Sequence, residues 1–331
     1  MIPLKFKDDV CPEFYKEFAS DFEHKIEKYK RNGYIGKGEK KEKLSSQTKD
    51  FLGYLLAKSD KDSKKSNLWE LLDCHANELK IYADNLCKLY TSLKKKDSKV
   101  FKQIKKIFVD NTYTSTSSFR KDYFIKSLDI KVCPYCNRSF IECIDKKDKT
   151  APIKGQIDHF YSKEKYPFLA LSRFNLIPCC SDCNGVGGKF TVDADETKLI
   201  NPYLLEDTNG MKFKMEITKS SFANIEECAN SIKILVEETN QSGLEQNIKT
   251  FHLQEIYQSH SDVAAEIYLK GKLKMPQIYR QTIIAMLKPI ISITEHDFNQ
   301  LVLGIEDNPK NFKNKPLSKF KADLAKDEMV F

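Results

Sequence analysis

Two Cys-x-x-Cys motifs constrain the fold of this chain more than any other feature. The first is formed by Cys133 and Cys136 and the second by Cys180 and Cys183, with 43 residues between them. In each motif both sulfurs can point at one metal ion about 2.3 Å away, and two such motifs supply the tetrahedral set of four thiolates that structural zinc prefers. The sequence therefore predicts a zinc ion that ties the motifs together around an insert large enough to be functional.

A fifth cysteine, Cys179, directly precedes the second motif and is an alternative zinc ligand. Only Cys180 has the Cys-x-x-Cys spacing to Cys183, so we predict that Cys179 is a buried packing residue. The chain has 10 cysteines in 331 residues, which is too few for a disulfide-stapled miniprotein. Clustered pairs in a cytosolic protein more often bind metal.

Length and charge leave the class of partner open. The length allows one large domain or two to three modest ones. The formal net charge of +8 favours a polyanion such as nucleic acid, but a solvated, lysine-rich surface explains it equally well. No apolar run approaches the ~20 residues needed to cross a bilayer, and the first residues lack the apolar centre of a secretory signal. We therefore expect a cytoplasmic protein without a membrane partner, and the lack of a P-loop argues against nucleotide hydrolysis by this chain.

Residues 1–129 have the apolar periodicity of helices. Apolar residues recur at three- and four-residue steps between residues 14 and 29, which predicts a helix that stops at Asn32-Gly33. A second stripe from Leu68 to Tyr90 predicts one long amphipathic helix. Lysines are interleaved with apolar residues over 99–108, a pattern typical either of a helix along a nucleic-acid backbone or of an ordinary surface helix.

The pattern changes around the cysteine motifs and beyond them. Short strands are expected over 128–132 and 139–144, on either side of the first motif. Two further strands are predicted over 212–217 and 231–236, the first with clean alternation of apolar and polar residues. From residue 248 onward the periodicity is helical again.

The insert between the motifs carries the pair Asp158-His159, with Asn175 and Asn184 downstream. A zinc ion held by four thiolates has no open position and cannot itself catalyse, so any chemistry must come from these residues. Neighbouring residues of a strand point to opposite faces, but Asp158 and His159 can still flank a metal and a scissile phosphate if the strand is distorted. The competing interpretation is a zinc ribbon that holds a binding module, with His159 as a hydrogen-bonded core residue.

The order of these residues resembles that of zinc-stabilised HNH endonucleases, which have a ββα-metal core. Longer segments are more specific, namely VCPYCNRSF, IDHFYSKEKYPFLALSRFNLIP and CSDCNGVGGKF. They are similar to the HNH subunit of Septu-type antiphage defence systems (the PtuB-like proteins) and to related HNH proteins found beside ATPases or in retrons. The match covers about residues 130–203, less than a quarter of the chain.

The resemblance implies a role for each residue. His159 would be the general base that takes a proton from the attacking water, work that suits an imidazole titrating near neutrality. Asp158 and Asn184 would bind a catalytic Mg²⁺ or Mn²⁺, which polarises the phosphate and stabilises the leaving 3′ oxygen. Asn175 would constrain the loop and help to orient His159, and Lys189 would contact a phosphate of the nucleic acid.

Two features depart from the family pattern. Asn184 replaces a histidine and would give the metal a weaker, neutral oxygen ligand, a variation found in the family. Glycines occupy three of the four positions 185–188, where the core helix should run, and each glycine inside a helix costs about 1 kcal/mol relative to alanine. We therefore expect a helix that is short, interrupted or ordered only with substrate.

The sequence as a whole predicts an α+β, mainly helical protein with a central zinc-stapled ββα-metal (HNH) core. We expect a helical lobe over 1–129, the nuclease core with its four-cysteine zinc site over 130–203, and a mostly helical lobe with short strands over 204–331. The resemblance implies a metal-dependent endonuclease acting on DNA more readily than RNA, as the effector of a defence complex with an ABC/SMC-like (PtuA-like) ATPase. The alternative is a non-catalytic, zinc-containing adaptor that binds nucleic acid or the ATPase.

Overall fold

Among the described residues, helices dominate the first and last thirds of the chain, and three small sheets accompany them. The computed structural model describes residues 1–7, 11–36, 41–60, 62, 64–115, 118–141, 155–240, 242–273 and 277–328. Its helices are α1 (Glu13–Asn32), α2 (Ser46–Leu56), α3 (Asn67–Asp73), α4 (Leu79–Leu89), α5 (Lys99–Lys105), α6 (Lys121–Lys126), α7 (Ser181–Asn184), α8 (Ile225–Asn230), α9 (Glu245–Thr250), α10 (Leu253–Gln258), α11 (Ser261–Leu273), α12 (Gln277–Leu287), α13 (Glu295–Phe298) and α14 (Ser318–Asp327). Each sheet is one antiparallel pair: β1 (Tyr34–Ile35) with β2 (Glu42–Lys43), β3 (Gln156–His159) with β4 (Leu176–Cys179), and β5 (Met211–Ile217) with β6 (Ile232–Glu238). The predicted α+β class is confirmed.

The first predicted helix is also confirmed. α1 buries Phe18, Phe22 and Ile26 on one face, as their four-residue spacing requires. It ends at Gly33, whose φ of 74° lies in the left-handed region that glycine reaches without strain. The N–H of Gly33 donates to the Tyr29 carbonyl oxygen at 2.9 Å, which satisfies one of the last helical carbonyls.

The stripe from residue 68 to residue 90 does not form the single long helix that its periodicity predicts. The chain leaves the helix after Asp73, and α4 begins only at Leu79. Between them the His75 ring packs with its centroid 4.6 Å from that of Phe174, and His75 Nδ1 lies 2.9 Å from Asn77 Oδ1. Contact with the central insert therefore replaces a helical turn, which periodicity within the stripe cannot reveal.

α5 continues directly into a π-helix, Lys106–Tyr113, that the sequence did not predict. Lys25 of α1 donates to the Asn111 carbonyl oxygen at 2.7 Å and thereby ties the end of the π-helix to α1. The last residue, Tyr113, packs against the His159 ring with 4.4 Å between centroids. π-Helical turns are rare and occur frequently at functional sites, and this one brings an aromatic ring to the central insert.

Among the described residues, the strands expected around the first cysteine motif are reduced to isolated bridges, one of them between Leu128 and Phe6. Val132 and Phe140 form an antiparallel bridge, and the Cys133 N–H donates to the Ser139 carbonyl oxygen at 2.8 Å. Positions 142–144 of the second predicted strand lie outside the described residues. The first motif is thus carried by a tight turn between two short extended segments.

The two strands predicted in the C-terminal part are confirmed to within two residues. β5 and β6 pair along their whole length, and α14 packs on them, with the Phe320 ring centroid 5.3 Å from that of Phe213. The chain before α14 also holds the first cysteine motif, because Asn137 Nδ2 donates to the Phe312 carbonyl oxygen at 2.9 Å.

Buried side chains from the two predicted lobes and from the predicted core between them belong to one hydrophobic cluster. Phe6, for example, stacks on Tyr203 and packs edge-on against Phe124 and Phe174, with centroids 5.7 to 5.9 Å apart. The boundaries at 129/130 and 203/204 stay predictions. Within the described part of the chain, no helix combines the length and apolar character needed to cross a membrane.

Candidate metal centre and active site

Four cysteine side chains converge at the predicted zinc site. The Sγ atoms of Cys133, Cys136, Cys180 and Cys183 all lie within 4.8 Å of one another, and all four residues are buried. Sγ of Cys136 is 3.8 Å from Sγ of Cys180, which is about the edge of a tetrahedron of thiolates that each lie 2.3 Å from a central ion. The group therefore has the chemistry and the spacing to hold a metal such as zinc.

Cys179 is buried beside this cluster without belonging to it. It ends β4, and burial raises the pKa of its thiol well above the usual value, as does the nearby carboxylate of Asp158. Cys179 is buried, as the sequence predicts for a packing residue at this position.

The first cysteine motif also holds the carboxylate of Asp158 in place. Asp158 as a whole residue is 6% exposed. Tyr135 lies between the two cysteines of that motif, and its Oη donates to Asp158 Oδ2 at 2.8 Å. The Tyr135 ring is stacked on Phe251 with 4.2 Å between centroids. Tyr135 therefore connects the first cysteine motif to β3 and to the predicted C-terminal lobe.

Lys189 supplies the second hydrogen bond to Asp158. Its side chain is almost fully buried, and its Nζ donates to Asp158 Oδ1 at 2.9 Å and to the His159 carbonyl oxygen at 2.7 Å. Directly before Lys189, the backbone at Gly188 comes so close to Cys183 that only glycine fits. A Cβ at Gly188 would lie 2.4 Å from the Cys183 carbonyl oxygen. In this conformation the ammonium group faces protein atoms, and the phosphate contact expected of Lys189 stays a prediction.

His159, the last residue of β3, is buried with its ring against Tyr113. Its Nε2 lies 3.1 Å from the carbonyl oxygen of Ala170. A carbonyl oxygen only accepts, so Nε2 carries the proton and Nδ1 of the neutral ring has the lone pair. Burial lowers the pKa of His159 well below its usual value, and the positive charge of Lys163 lowers it further.

Asp158 and His159 point to opposite faces of β3, as neighbours on a strand must. Asp158 shares its face with Gln156, whose Oε1 accepts a hydrogen bond from Asn184 Nδ2 at 2.8 Å. The structure thus brings Asn184 to the Asp158 side of the β3–β4 hairpin. His159 lies at the strand end, where the chain turns away into the loop before β4.

The helix at the second motif is short and ends before the glycines of 185–188, one of the alternatives that these glycines predicted. α7 has four residues and is followed by Gly185 as its C-terminal cap. Asn184 is therefore the final helical residue, close to the start of β3 and not in the middle of a long core helix.

Asn175 is fully buried and closes the loop between β3 and β4. Its Oδ1 accepts from the Tyr161 N–H at 2.7 Å, and its Nδ2 donates to the carbonyl oxygens of Tyr161 and Leu169 at 3.1 and 3.0 Å. Leu169 directly precedes Ala170, whose carbonyl receives the His159 ring. Asn175 is thus placed to constrain the loop that sets the orientation of His159.

Four residues near the insert were missed by the sequence reasoning. Tyr135 could have been noticed because it lies inside the first cysteine motif. Tyr113 carries two lysines on its ring, with Lys121 Nζ 4.1 Å and Lys163 Nζ 5.6 Å from the centroid. No local pattern signals Tyr113 or Lys121, because only long-range packing brings them to His159.

Part of the chain is similar in sequence to a Septu protein. Over 81 residues it is 35% identical to the Septu protein PtuB of Bacillus thuringiensis, and the aligned stretch covers 24% of this chain and 27% of that protein. No protein-family model matches the chain, and no solved structure matches it. The chain therefore spans about a quarter of the length of the Septu protein that it resembles, and the similarity is one of a segment.

Proposed function

We propose that this protein is a zinc-stapled HNH endonuclease that hydrolyses phosphodiester bonds in nucleic acid, with DNA as the preferred substrate. The observation that carries the proposal is the contact of His159 Nε2 with the Ala170 carbonyl oxygen at 3.1 Å. It fixes the tautomer and the orientation of a histidine at the strand end of a β-hairpin, beside a buried aspartate. A general base needs this kind of fixed imidazole.

His159 acts as the base through Nδ1 in this proposal. Within the described part of the chain no hydrogen bond to Nδ1 competes for its lone pair. The lowered pKa of His159 favours the neutral ring at neutral pH, so the lone pair is available to a water molecule. As the water oxygen approaches phosphorus, its proton passes to Nδ1, while the Nε2–H bond to Ala170 keeps the ring in place.

In this proposal Asp158 and Asn184 would hold the catalytic Mg²⁺ or Mn²⁺. An ionised carboxylate offers about four lone-pair sites, and Asp158 uses two of them for Tyr135 and Lys189. Asn184 donates to Gln156 through Nδ2, which leaves its Oδ1, an oxygen ligand of the kind that hard cations take. When bound, the ion would polarise the phosphate and stabilise the leaving 3′ oxygen.

The zinc ion held by the four cysteines has a structural role in this proposal. It would fix the first motif, from which Tyr135 reaches Asp158, and the second motif, from which α7 presents Asn184. Asn175 completes the support from the other end of the hairpin. Removing zinc should therefore displace the ligands of the catalytic metal without touching the chemistry of His159 itself.

The similarity to the Septu protein PtuB supports a role in antiphage defence. We propose that the nuclease is the effector of a defence complex with an ABC/SMC-like, PtuA-like ATPase. Co-expression with a PtuA-like ATPase should give one complex on size-exclusion chromatography. A nuclease that elutes alone from that co-expression would contradict the partnership.

The test of the proposed activity compares two histidine substitutions. His159→Ala should abolish cleavage of DNA in Mg²⁺ or Mn²⁺, with the partner present if it is needed, and should retain the zinc of the wild type. His24→Ala removes an exposed imidazole on α1 and should leave cleavage unchanged. Cleavage retained by His159→Ala would overturn the assignment of the base. If the wild-type protein binds nucleic acid but does not cleave it in any divalent metal, the result would favour the alternative function of a non-catalytic adaptor.

A further inference from the structure

Two lysine ammonium groups converge on the ring of Tyr113. Lys121 Nζ, from the start of α6, lies 4.1 Å from the ring centroid, and Lys163 Nζ, from the loop after β3, lies 5.6 Å from it. Both residues are partly buried. Two cations that share one ring repel each other, because each like charge disfavours the charged form of the other.

Neither lysine has an acidic partner within the described part of the chain. Neighbouring lysines in the same region are paired: Lys165 Nζ lies 2.5 Å from Asp193 Oδ2, and Lys105 is paired with Glu164. Lys121 and Lys163 form no ion pair and donate no hydrogen bond there. Burial lowers the pKa of Lys121, and the charge of Lys163 lowers it further, as expected for uncompensated neighbours.

The position of the pair connects it to the candidate base. The Tyr113 ring that carries both lysines packs against His159 with 4.4 Å between centroids. Lys189, the residue from which a phosphate contact was expected, has its ammonium group committed to Asp158 and to the His159 carbonyl oxygen. The uncompensated positive charge beside His159 therefore comes from Lys121 and Lys163.

We propose that Lys121 and Lys163 form a clamp for backbone phosphates that positions double-stranded DNA beside His159. The clamp rests on the proposed nuclease function, which it deepens by assigning the residues that hold the substrate. An anionic phosphate that contacts both ammonium groups offsets their mutual repulsion with two attractions. Contacts with backbone phosphates depend on charge and not on the base sequence, so the clamp orients the duplex without selecting bases.

The test measures binding separately from cleavage. In a His159→Ala background, binding of a fluorescein-labelled DNA duplex is followed by anisotropy over a range of salt concentrations. Because each neutralised phosphate contributes a slope of about 0.9 in log K against log salt, Lys121→Gln and Lys163→Gln should each lower the slope by about 0.9 and the double variant by about twice that. Each single substitution should weaken binding at 0.1 M salt roughly fivefold to tenfold.

Two controls keep the experiment specific. Lys88→Gln removes one charge from an exposed lysine of α4 and should leave the slope unchanged. Lys163→Arg keeps the charge and should retain the slope of the parent. Unchanged zinc content and circular dichroism establish that each variant is folded, and neutralising one of two repelling charges should not unfold the protein.

Each outcome separates the clamp from the nuclease. Unaltered salt slopes in the double variant overturn the clamp, even if the wild type cuts DNA. Reduced slopes with a wild type that never cuts support the clamp and count against the proposed nuclease. Failure of the parent to bind duplex DNA overturns the clamp as stated, and a parent that binds only RNA overturns the choice of DNA.

Discussion

Lys189 and Asp158 form an ion pair in the interior of the protein. Nζ and Oδ1 are 2.9 Å apart, and the two side chains are only 2% and 7% exposed. Tyr135 completes the environment of the carboxylate from the first cysteine motif. Transferring two charges from water is costly, and the pair persists only because each charge is compensated by the other and by hydrogen bonds.

Removing the lysine should therefore destabilise the fold strongly. Lys189→Met leaves the Asp158 carboxylate buried beside a thioether, and we expect a loss of about 3–5 kcal/mol in the free energy of unfolding, as for other broken buried pairs. Denaturant titration measures it. The double variant with Asp158→Asn should lose less than the two single variants together. Additive losses would contradict a direct pairing of the two residues.

Gly188 and Gly187 provide a matched pair of substitutions. A Cβ at Gly188 would lie 2.4 Å from the Cys183 carbonyl oxygen, whereas a Cβ at Gly187 meets nothing within 4 Å. Gly188→Ala should cost about 1–3 kcal/mol, the usual range for overpacking, and should weaken zinc retention because the displaced carbonyl belongs to a ligand residue. Gly187→Ala should behave like the wild type in thermal unfolding and zinc content. Equal effects of the two would contradict the tight approach at Gly188.

The zinc ligand set can be tested with Cys179 as the control. Cys133→Ser should lower zinc to well below one equivalent and unfold the region between the motifs, because metal binding and folding are coupled at such sites. Cys179→Ala should retain about one equivalent, since its thiol lies outside the cluster. Elemental analysis with hydrogen exchange measures both properties. Zinc lost from Cys179→Ala and kept in Cys133→Ser would reverse the assignment.

His296 should make stability depend on pH. Its Nδ1 bonds to Asp307, and this hydrogen bond raises the pKa of His296. A raised pKa in the folded state means that the protonated form stabilises the fold. This contribution is complete below the unfolded pKa of about 6.5 and is lost as pH rises through the folded pKa.

The measurement compares the free energy of unfolding of the wild type and of His296→Gln at pH 5.5 and 8.5. The difference should be larger at pH 5.5. Asp307→Asn, which removes the negative partner, should reduce the pH dependence of the wild type. A larger difference at pH 8.5 would contradict a raised pKa of His296 in the folded state.

The parts of the structure that the sequence predicted are those that local chemistry determines. α1 follows from the spacing of its apolar residues and from Gly33, and β5 follows from alternation. The cysteine cluster follows from the requirement of zinc for four ligands in fixed pairs. In each case the residues that decide the outcome are close in sequence or share one chemical partner.

What the sequence did not predict depends on contacts between distant segments. His75 interrupts an otherwise continuous helical stripe because its ring packs against Phe174. Tyr113 reaches His159 through a π-helix, a local distortion without a recognisable composition. The sequence predicts a phosphate contact for Lys189, and no local pattern indicates that its side chain is buried against Asp158. None of these arrangements leaves a periodic signal.

The β3–β4 hairpin limits where the length of such a chain can change. Gln156 pairs with Cys179 and His159 with Leu176, so one residue gained or lost within β3 would exchange the faces of the imidazole and the carboxylate. The connecting loop is held at Tyr161 and Leu169 by Asn175, and the stretch 162–168 lies between those anchors. Relatives that keep the same chemistry should therefore carry no insertion or deletion within 156–159, where a change of one residue would exchange these two faces.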